Sequence, residues 1–392
     1  MSIGGWRGLL EGREGELLLD LVFVFVLTRL SQRLIEDLTT DRQVVLPEVG
    51  QTVLLLLALW VVWVHAAWVT SRVDPRQPVI QLLIVWTMFG SMIIAVTLPH
   101  AFGARGLLFA ITYVAIQAGK PIILLIARRD VERHSPARHL CWAATAAVPW
   151  IAGAALFPQS PARGALWTLA IAVDYAGLVS GWPVPKLGRT GAEDWRLAGE
   201  HLAERYQQLI VITIGETILL TGAAFADAFT PDRVAPSVLS FATAVLMWRI
   251  YFHRAGAVFS AAIEVAARPD KLGKSGYFTQ LVIVTGILAT GVGYALVIRE
   301  PRGHQDPLWL AVILGGPGLF LAGRSRMEYE VFSRLSPSRL IGLVALAAVT
   351  PALLHRAPMF AAAAATVVLA GVALWDGMRE RRNPEEAPSP PH

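Results

Sequence analysis

The chain has 392 residues, 55% hydrophobic and only 16% charged, with a formal net charge of +5 at pH 7. A soluble domain carries about a quarter charged residues; together with a mean hydropathy of +0.52, the composition excludes an ordinary soluble protein. With Cys141 alone, no internal disulfide or cysteine-based metal site can form.

Apolar runs near 20 residues long mark membrane-spanning helices, because about 30 Å of hydrocarbon needs that many residues at about 1.5 Å each. In chain order the sequence predicts helices near 17–35, 49–70, 79–98, 106–127, 139–157, 164–181, 204–223, 234–254, 277–298, 307–323, 339–354 and 357–375. The short alternating segments of a transmembrane barrel are missing. The expected fold class is therefore all-α, a polytopic transmembrane bundle of about 12 spans. The first apolar run follows Glu14 and Glu16 and lacks a small-residue cleavage site, so it reads as a retained helix rather than a signal peptide. Residues 1–16 are expected as a cytoplasmic N-terminal segment, 17–375 as the transmembrane domain, and 376–392 as a disordered, charged and proline-rich cytoplasmic tail.

Basic residues fall on alternate connections. They include Arg7 and Arg13 at the N-terminus, Arg72 and Arg76 after the second helix, and Arg128, Arg129, Arg133 and Arg138 after the fourth. Lys186, Arg189 and Arg196 follow the sixth, Arg254, Arg268, Lys271 and Lys274 the eighth, and Arg324, Arg326, Arg334 and Arg339 the tenth. The intervening connections are poorer in lysine and arginine, and the first is acidic, with Glu36, Asp37, Asp41 and Glu48. Cytoplasmic loops retain lysine and arginine, so both termini are placed in the cytoplasm and the protein in the cytoplasmic membrane.

Ionisable residues inside the spans are the candidate functional groups. They are Asp20, Arg29, His65, Lys120, Asp174, Glu204, Arg205, Glu216 and Arg249. Each costs roughly 2.5–3.5 kcal/mol on insertion and so tends to face a cavity or a partner. On this topology most lie at cytoplasmic helix ends or in cytoplasmic halves, which predicts a polar cavity open to that side. The stretch HLAERYQQLIVITIGETILL at 201–220 concentrates the pattern. At about 100° per residue, His201, Glu204, Arg205, Gln208, Gly215 and Glu216 share about one third of the helix surface. Plainer readings stand beside this one. Asp20, Glu204 and Arg205 suit helix starts at an interface, His65 suits packing, Lys120 can snorkel to headgroups, and Asp174 can pair with Arg249. Glu216, at mid-helix depth, is hardest to explain without function.

DLVFVFVLTRLSQ at 20–32 and HLAERYQQLIVITIGETIL at 201–219 together resemble the bacterial low temperature requirement A (LtrA) family, whose pattern is an Asp followed by alternating Val and Phe, then His-x-x-Glu-Arg leading into Gly-Glu-Ser. The likeness continues through WVVWVHAAWVTSRVDP and LPHAFG and spans most of residues 16–375. Leucines before Asp20, Arg29 in place of an uncharged polar residue, and Thr217 in place of Ser depart from it. The resemblance implies a many-helix bacterial membrane protein without implying a particular reaction.

Three function classes remain open. The first is transport or binding of a small molecule or lipid, with His65, Lys120, Asp174, His201, Arg205, Gln208 and Arg249 as substrate-binding candidates. The second is a membrane enzyme using the carboxylic acids of Asp20, Glu204 and Glu216 for acid/base chemistry on a lipid or isoprenoid, such as a proton-initiated cyclisation. The third is a structural or sensory protein. No phosphate loop or HExxH pair occurs, and no cofactor, metal or nucleic acid is expected; the bilayer and a small-molecule or lipid substrate are the expected partners. Reporter fusions or cysteine labelling should place Asp130 and Ala267 in the cytoplasm and Asp41 and Asp232 outside. Asp41 and Asp130 on one side would overturn this topology.

Overall fold

The computed structural model describes residues 13–39, 45–72, 74–127, 134–190, 192–227, 229–253, 259–266, 268–304, 306–382 and 388–391. The segment 1–12, Asp41 and Arg42 of the first connection, the basic cluster Arg128, Arg129 and Arg133, Arg254, Ala267, and tail residues 383–387 lie outside that description. Among the described residues there are thirteen α-helices and no strand beyond one isolated bridge, Val184 to Gly188.

The helices are α1 (Arg13–Thr39), α2 (Val45–Arg72), α3 (Pro78–Thr97), α4 (Gly106–Ala127), α5 (His134–Leu156), α6 (Pro161–Ser180) and α7 (Ala192–Ala226). They continue with α8 (Pro231–Phe252), α9 (Phe259–Val265), α10 (Pro269–Arg299), α11 (Pro307–Phe332), α12 (Pro337–Leu353) and α13 (Pro358–Arg382). Seven of them open on proline, whose fixed φ suits the first helical turn and whose missing N–H is not needed there. Ser160 and Asp306 add side-chain caps, accepting from the backbone N–H of Ala162 (3.2 Å) and Leu308 (2.8 Å).

Each expected helix has a counterpart, and the short α9 is an addition in the connection after α8. Among the described residues, ten helices are long and apolar enough to cross a membrane: α2 to α8, α10, α11 and α13. Two of the twelve expected spans fall short of that measure. α1 interrupts its apolar run with Asp20, Arg29, Arg33, Glu36 and Asp37, and α12 has only 17 residues.

The chain divides into two units: residues 1–33 with 41–198, and residues 34–40 with 199–392. In the first unit α2 is the most buried helix, packed on α3, α4 and α6, while α3 to α6 pack as successive neighbours. Two arginines bind one end of this unit. Arg33 donates to Thr52 Oγ1 (2.9 Å), Gln51 Oε1 (2.9 Å) and the Pro99 carbonyl (2.8 Å). Arg163 donates to the carbonyls of Ala101 and Gly103 (3.1 Å each) and of Pro158. Carbonyls released where helices end are thus satisfied without water.

In the second unit α10 is the central helix and packs most closely on α11. A Cβ on Gly286 would stand 2.4 Å from the Phe320 backbone nitrogen, and one on Gly316 2.5 Å from that of Thr290. The absence of side chains lets two backbones touch, the usual basis of helix association in lipid. Arg339 on α12 is 1% exposed and bridges Glu328 on α11 to Asp376 on α13 (2.8 Å to the latter), while Ser338 donates to the same Asp376 (2.8 Å). Removing one member of such a buried network leaves charge uncompensated. Arg339→Met is therefore expected to destabilise the protein by about 3–5 kcal/mol. This should appear as a lower melting temperature in detergent, partly restored by adding Glu328→Gln and Asp376→Asn.

Candidate functional site

The first unit holds a cavity of about 330 Å³. It lies where α2, α4 and α6 finish and α5 begins, at the opposite end from Arg33 and Arg163. α2 supplies His65, Trp68, Val69 and Arg72, and α4 supplies Gln117, Lys120, Pro121, Leu124 and Leu125. α5 supplies Ser135, Pro136, His139, Trp142 and Ala143; Asp174 comes from α6 and Trp182 from just after it. Spacings of three and four along each helix explain the convergence, since they bring side chains to one face.

The polar groups form a connected floor. Lys120, 3% exposed, donates to the Val62 carbonyl (3.2 Å). Asp174 accepts from the Tyr113 hydroxyl (2.8 Å). Gln117 Nε2 lies 3.1 Å from His65 Nδ1, and His139 Nδ1 lies 2.8 Å from the Ser135 carbonyl. Pro121 lines the cavity and has no N–H for the carbonyl of Gln117 one turn earlier, so that carbonyl is released from the helix ladder beside the polar floor.

Aromatic rings build the walls and close the far side. Trp182 packs on His139 (4.3 Å between centroids) and meets His65 edge-on (5.7 Å). Gly177 makes this possible, because a Cβ there would stand 2.9 Å from Trp182 and 3.0 Å from Trp142. Beyond Asp174, Tyr113, Trp150 and Trp167 pack at 4.6 and 4.8 Å, with Phe109 and Phe102 against Trp167 at 5.5 and 4.8 Å. Edge and tilted ring contacts of this kind fill space densely.

Of the residues singled out from sequence, the structure brings His65, Lys120 and Asp174 to this one cavity. Lys120 does not snorkel; it is buried on the cavity wall. Asp20 is fully buried in the same unit but lies off the cavity, with Trp63 Nε1 donating to it (3.0 Å). His201, Glu204, Arg205, Gln208 and Glu216 belong to the second unit. His201 and Glu204 form a half-exposed pair at 3.5 Å, and Arg205, fully buried, donates to Gln208 (3.0 Å). Arg249 is exposed on α8, so its place inside an apolar run did not signal burial. Gln117, His139, Tyr113 and the tryptophans escaped the sequence reading. Gln117 was findable, because it stands one turn before Lys120 on the same face; His139 is the first residue of the helix expected at 139–157, where a polar side chain reads as an ordinary helix start.

Glu216 is fully buried on α7, between Thr213 and Thr217, whose hydroxyls donate to the carbonyls of Leu209 (2.7 Å) and Thr213 (3.2 Å). It stands twelve positions beyond Glu204, about 18 Å along the axis, so the two carboxylates are not one pair. Glutamine keeps the size of glutamate but cannot exchange a proton as a carboxyl does. Glu216→Gln is expected to reach wild-type membrane abundance while losing the gene's cellular activity. An abundant and fully active variant would make Glu216 a packing residue.

With ten helices able to cross a membrane among its described residues, and a chamber carrying polar groups among those helices, this is a multi-pass membrane protein. It belongs to the Bacterial low temperature requirement A protein (LtrA) family, whose model matches residues 14–374. The resemblance carried by the segments at 20–32 and 201–219 is thus borne out. The chain is 35% identical over 370 residues to Uncharacterized protein RA0937 of Rhizobium meliloti (strain 1021), covering 92% of this chain and 88% of that one. No solved structure matches it.

Proposed function

We propose that this protein binds a small molecule or lipid in the cavity of its first unit, entering from the cytoplasm, as a step in moving that compound across the cytoplasmic membrane. The cavity carries the reading: a buried lysine, aspartate and glutamine, with two half-buried histidines and Arg72, line one chamber in an otherwise apolar bundle. Concave sites with apolar walls and a few convergent polar groups are the usual form of ligand pockets, and ionisable residues at membrane depth usually mark substrate paths. The basic residues Arg72, Arg76, Lys186 and Arg189 gather at the end where the cavity lies, which supports a cytoplasmic mouth. Two units of comparable size, one holding most of α1 with α2–α6 and the other most of α7 with α8–α13, fit the two-part construction common among transporters. In that reading the aromatic packing beyond Asp174 is the closed gate of an inward-facing state.

The aromatic packing behind Asp174 also fits a second reading, a membrane enzyme whose chamber admits a lipid or isoprenoid from one side only. The two part on whether the bound compound is released unchanged. Access is tested first, using a Cys141→Ser background with Ala143→Cys on the cavity wall. A membrane-impermeant thiol reagent should modify Ala143→Cys in inside-out vesicles and spare it in right-side-out ones. Leu124→Trp, which fills the cavity, should slow that modification at least tenfold. Modification from the outer face alone would overturn the cytoplasmic mouth, and no effect of Leu124→Trp would remove the cavity from the route.

A further inference from the structure

Building on the reading of this cavity as a ligand site, we propose that its occupant is a small zwitterion with an apolar side group, of the α-amino-acid type. Lys120 and Asp174 line the same cavity with opposite formal charges. Lys120 turns to the Val62 carbonyl and Asp174 to the Tyr113 hydroxyl; the two do not close on each other as a salt bridge. A direct pair would neutralise both groups and leave no polarity for a ligand. Held apart, they give the floor of the chamber one cationic and one anionic contact point; Arg72, the other cation on the lining, lies over the Trp68 ring (5.6 Å to its centroid).

That arrangement discriminates by charge pattern. A simple organic anion suits Lys120 but brings like charge toward Asp174, and a simple amine does the reverse; in a water-poor chamber both conflicts are strengthened. A carboxylate and an ammonium on one carbon satisfy both contacts at once. The neighbouring groups suit the same ligand. His65 Nδ1 accepts from Gln117 Nε2 (3.1 Å), so its Nε2 carries the hydrogen and donates. His139 donates through Nδ1 to the Ser135 carbonyl (2.8 Å), leaving Nε2 as an acceptor. Gln117 Oε1, on a side chain 7% exposed, takes no donor from the protein and adds an acceptor. Trp68, Trp142 and Leu124 offer an apolar surface for the side group, and the volume of about 330 Å³ suits a molecule of modest size.

The test uses the full-length protein in nanodiscs, titrated with L-phenylalanine, 3-phenylpropanoate and 2-phenylethylamine, three probes of similar shape with both charges, the negative alone and the positive alone. Binding is read from the emission of the cavity tryptophans and checked by calorimetry. L-phenylalanine should bind at least tenfold more tightly than either partner. Asp174→Asn should bring it down to the level of 3-phenylpropanoate, and Lys120→Gln to the level of 2-phenylethylamine, with melting temperatures recorded to exclude unfolding. If either variant fails to fold, the ranking of the three probes on the wild type still decides the matter. Tighter binding of a singly charged probe, abolished by Leu124→Trp, overturns the zwitterion but keeps the cavity as the ligand site. Binding of all three that Leu124→Trp leaves unchanged overturns the cavity reading as well. Failure of both L-phenylalanine and L-leucine to bind at millimolar concentration overturns the zwitterion proposal outright.

Discussion

Burying Lys120 and Asp174 in one apolar bundle is the constraint around which the first unit is arranged. Neither charge is tolerable in a membrane interior without polar contacts, and neither is solved by pairing with the other. The ammonium needs a carbonyl from α2, which brings α4 against α2 at Val62. The carboxylate needs a hydroxyl from α4, which brings α6 against Tyr113. Tyr113 in turn packs on Trp150 of α5, and Trp150 on Trp167 of α6. Two helix contacts therefore follow from two charges and two more from the rings beside them, and the space between the charges becomes the cavity.

The second unit solves a similar problem in the opposite way. Arg339 is as buried as Lys120, but it is clamped between two carboxylates, with Ser338 completing the shell of Asp376. Nothing there is held apart. Arg324 likewise spends its donors on the carbonyls of Ile250 (3.1 Å) and His253 (3.0 Å), where α8 ends, and lies over the Tyr251 ring. These are scaffolding uses of charge, in which the cation is spent on carboxylates or on carbonyls at a helix end, although Arg324 Nη1 and Arg339 Nε take no partner. Against them, the separation of Lys120 from Asp174 stands out as an arrangement that pairing alone does not explain.

How much could be read from sequence follows from what each residue type must do in lipid. The helices were legible because apolar length is dictated by bilayer thickness, and the site was partly legible because His65, Lys120 and Asp174 interrupt apolar runs. Span number was less so. α1 mixes too many charges into its run, and α12 is short, so composition alone leaves both in doubt. Arg249 misled for a geometric reason: being inside a helix sets depth but not the face presented. Arg324 and Arg339 misled conversely, since placement near a connection suggested surface charge, whereas each reaches back to a helix end or a carboxylate.

The tryptophans were the hardest part of the site to foresee. Thirteen of them are spread along the chain, and an indole in a membrane helix is as easily an interfacial anchor as a cavity wall. Trp182 owes its place to a neighbour with no side chain, as Trp86 and Trp167 do to Gly119 and Gly153. Gly177 leaves room for Trp182 and Trp142 to meet over the end of α6, and Trp182 then covers both histidines. A larger residue at position 177 would push both indoles toward the polar floor, so the shape of the chamber depends on a glycine that touches no ligand. The chemistry of this site is carried by residues whose types announce them, while its volume is set by residues whose types do not.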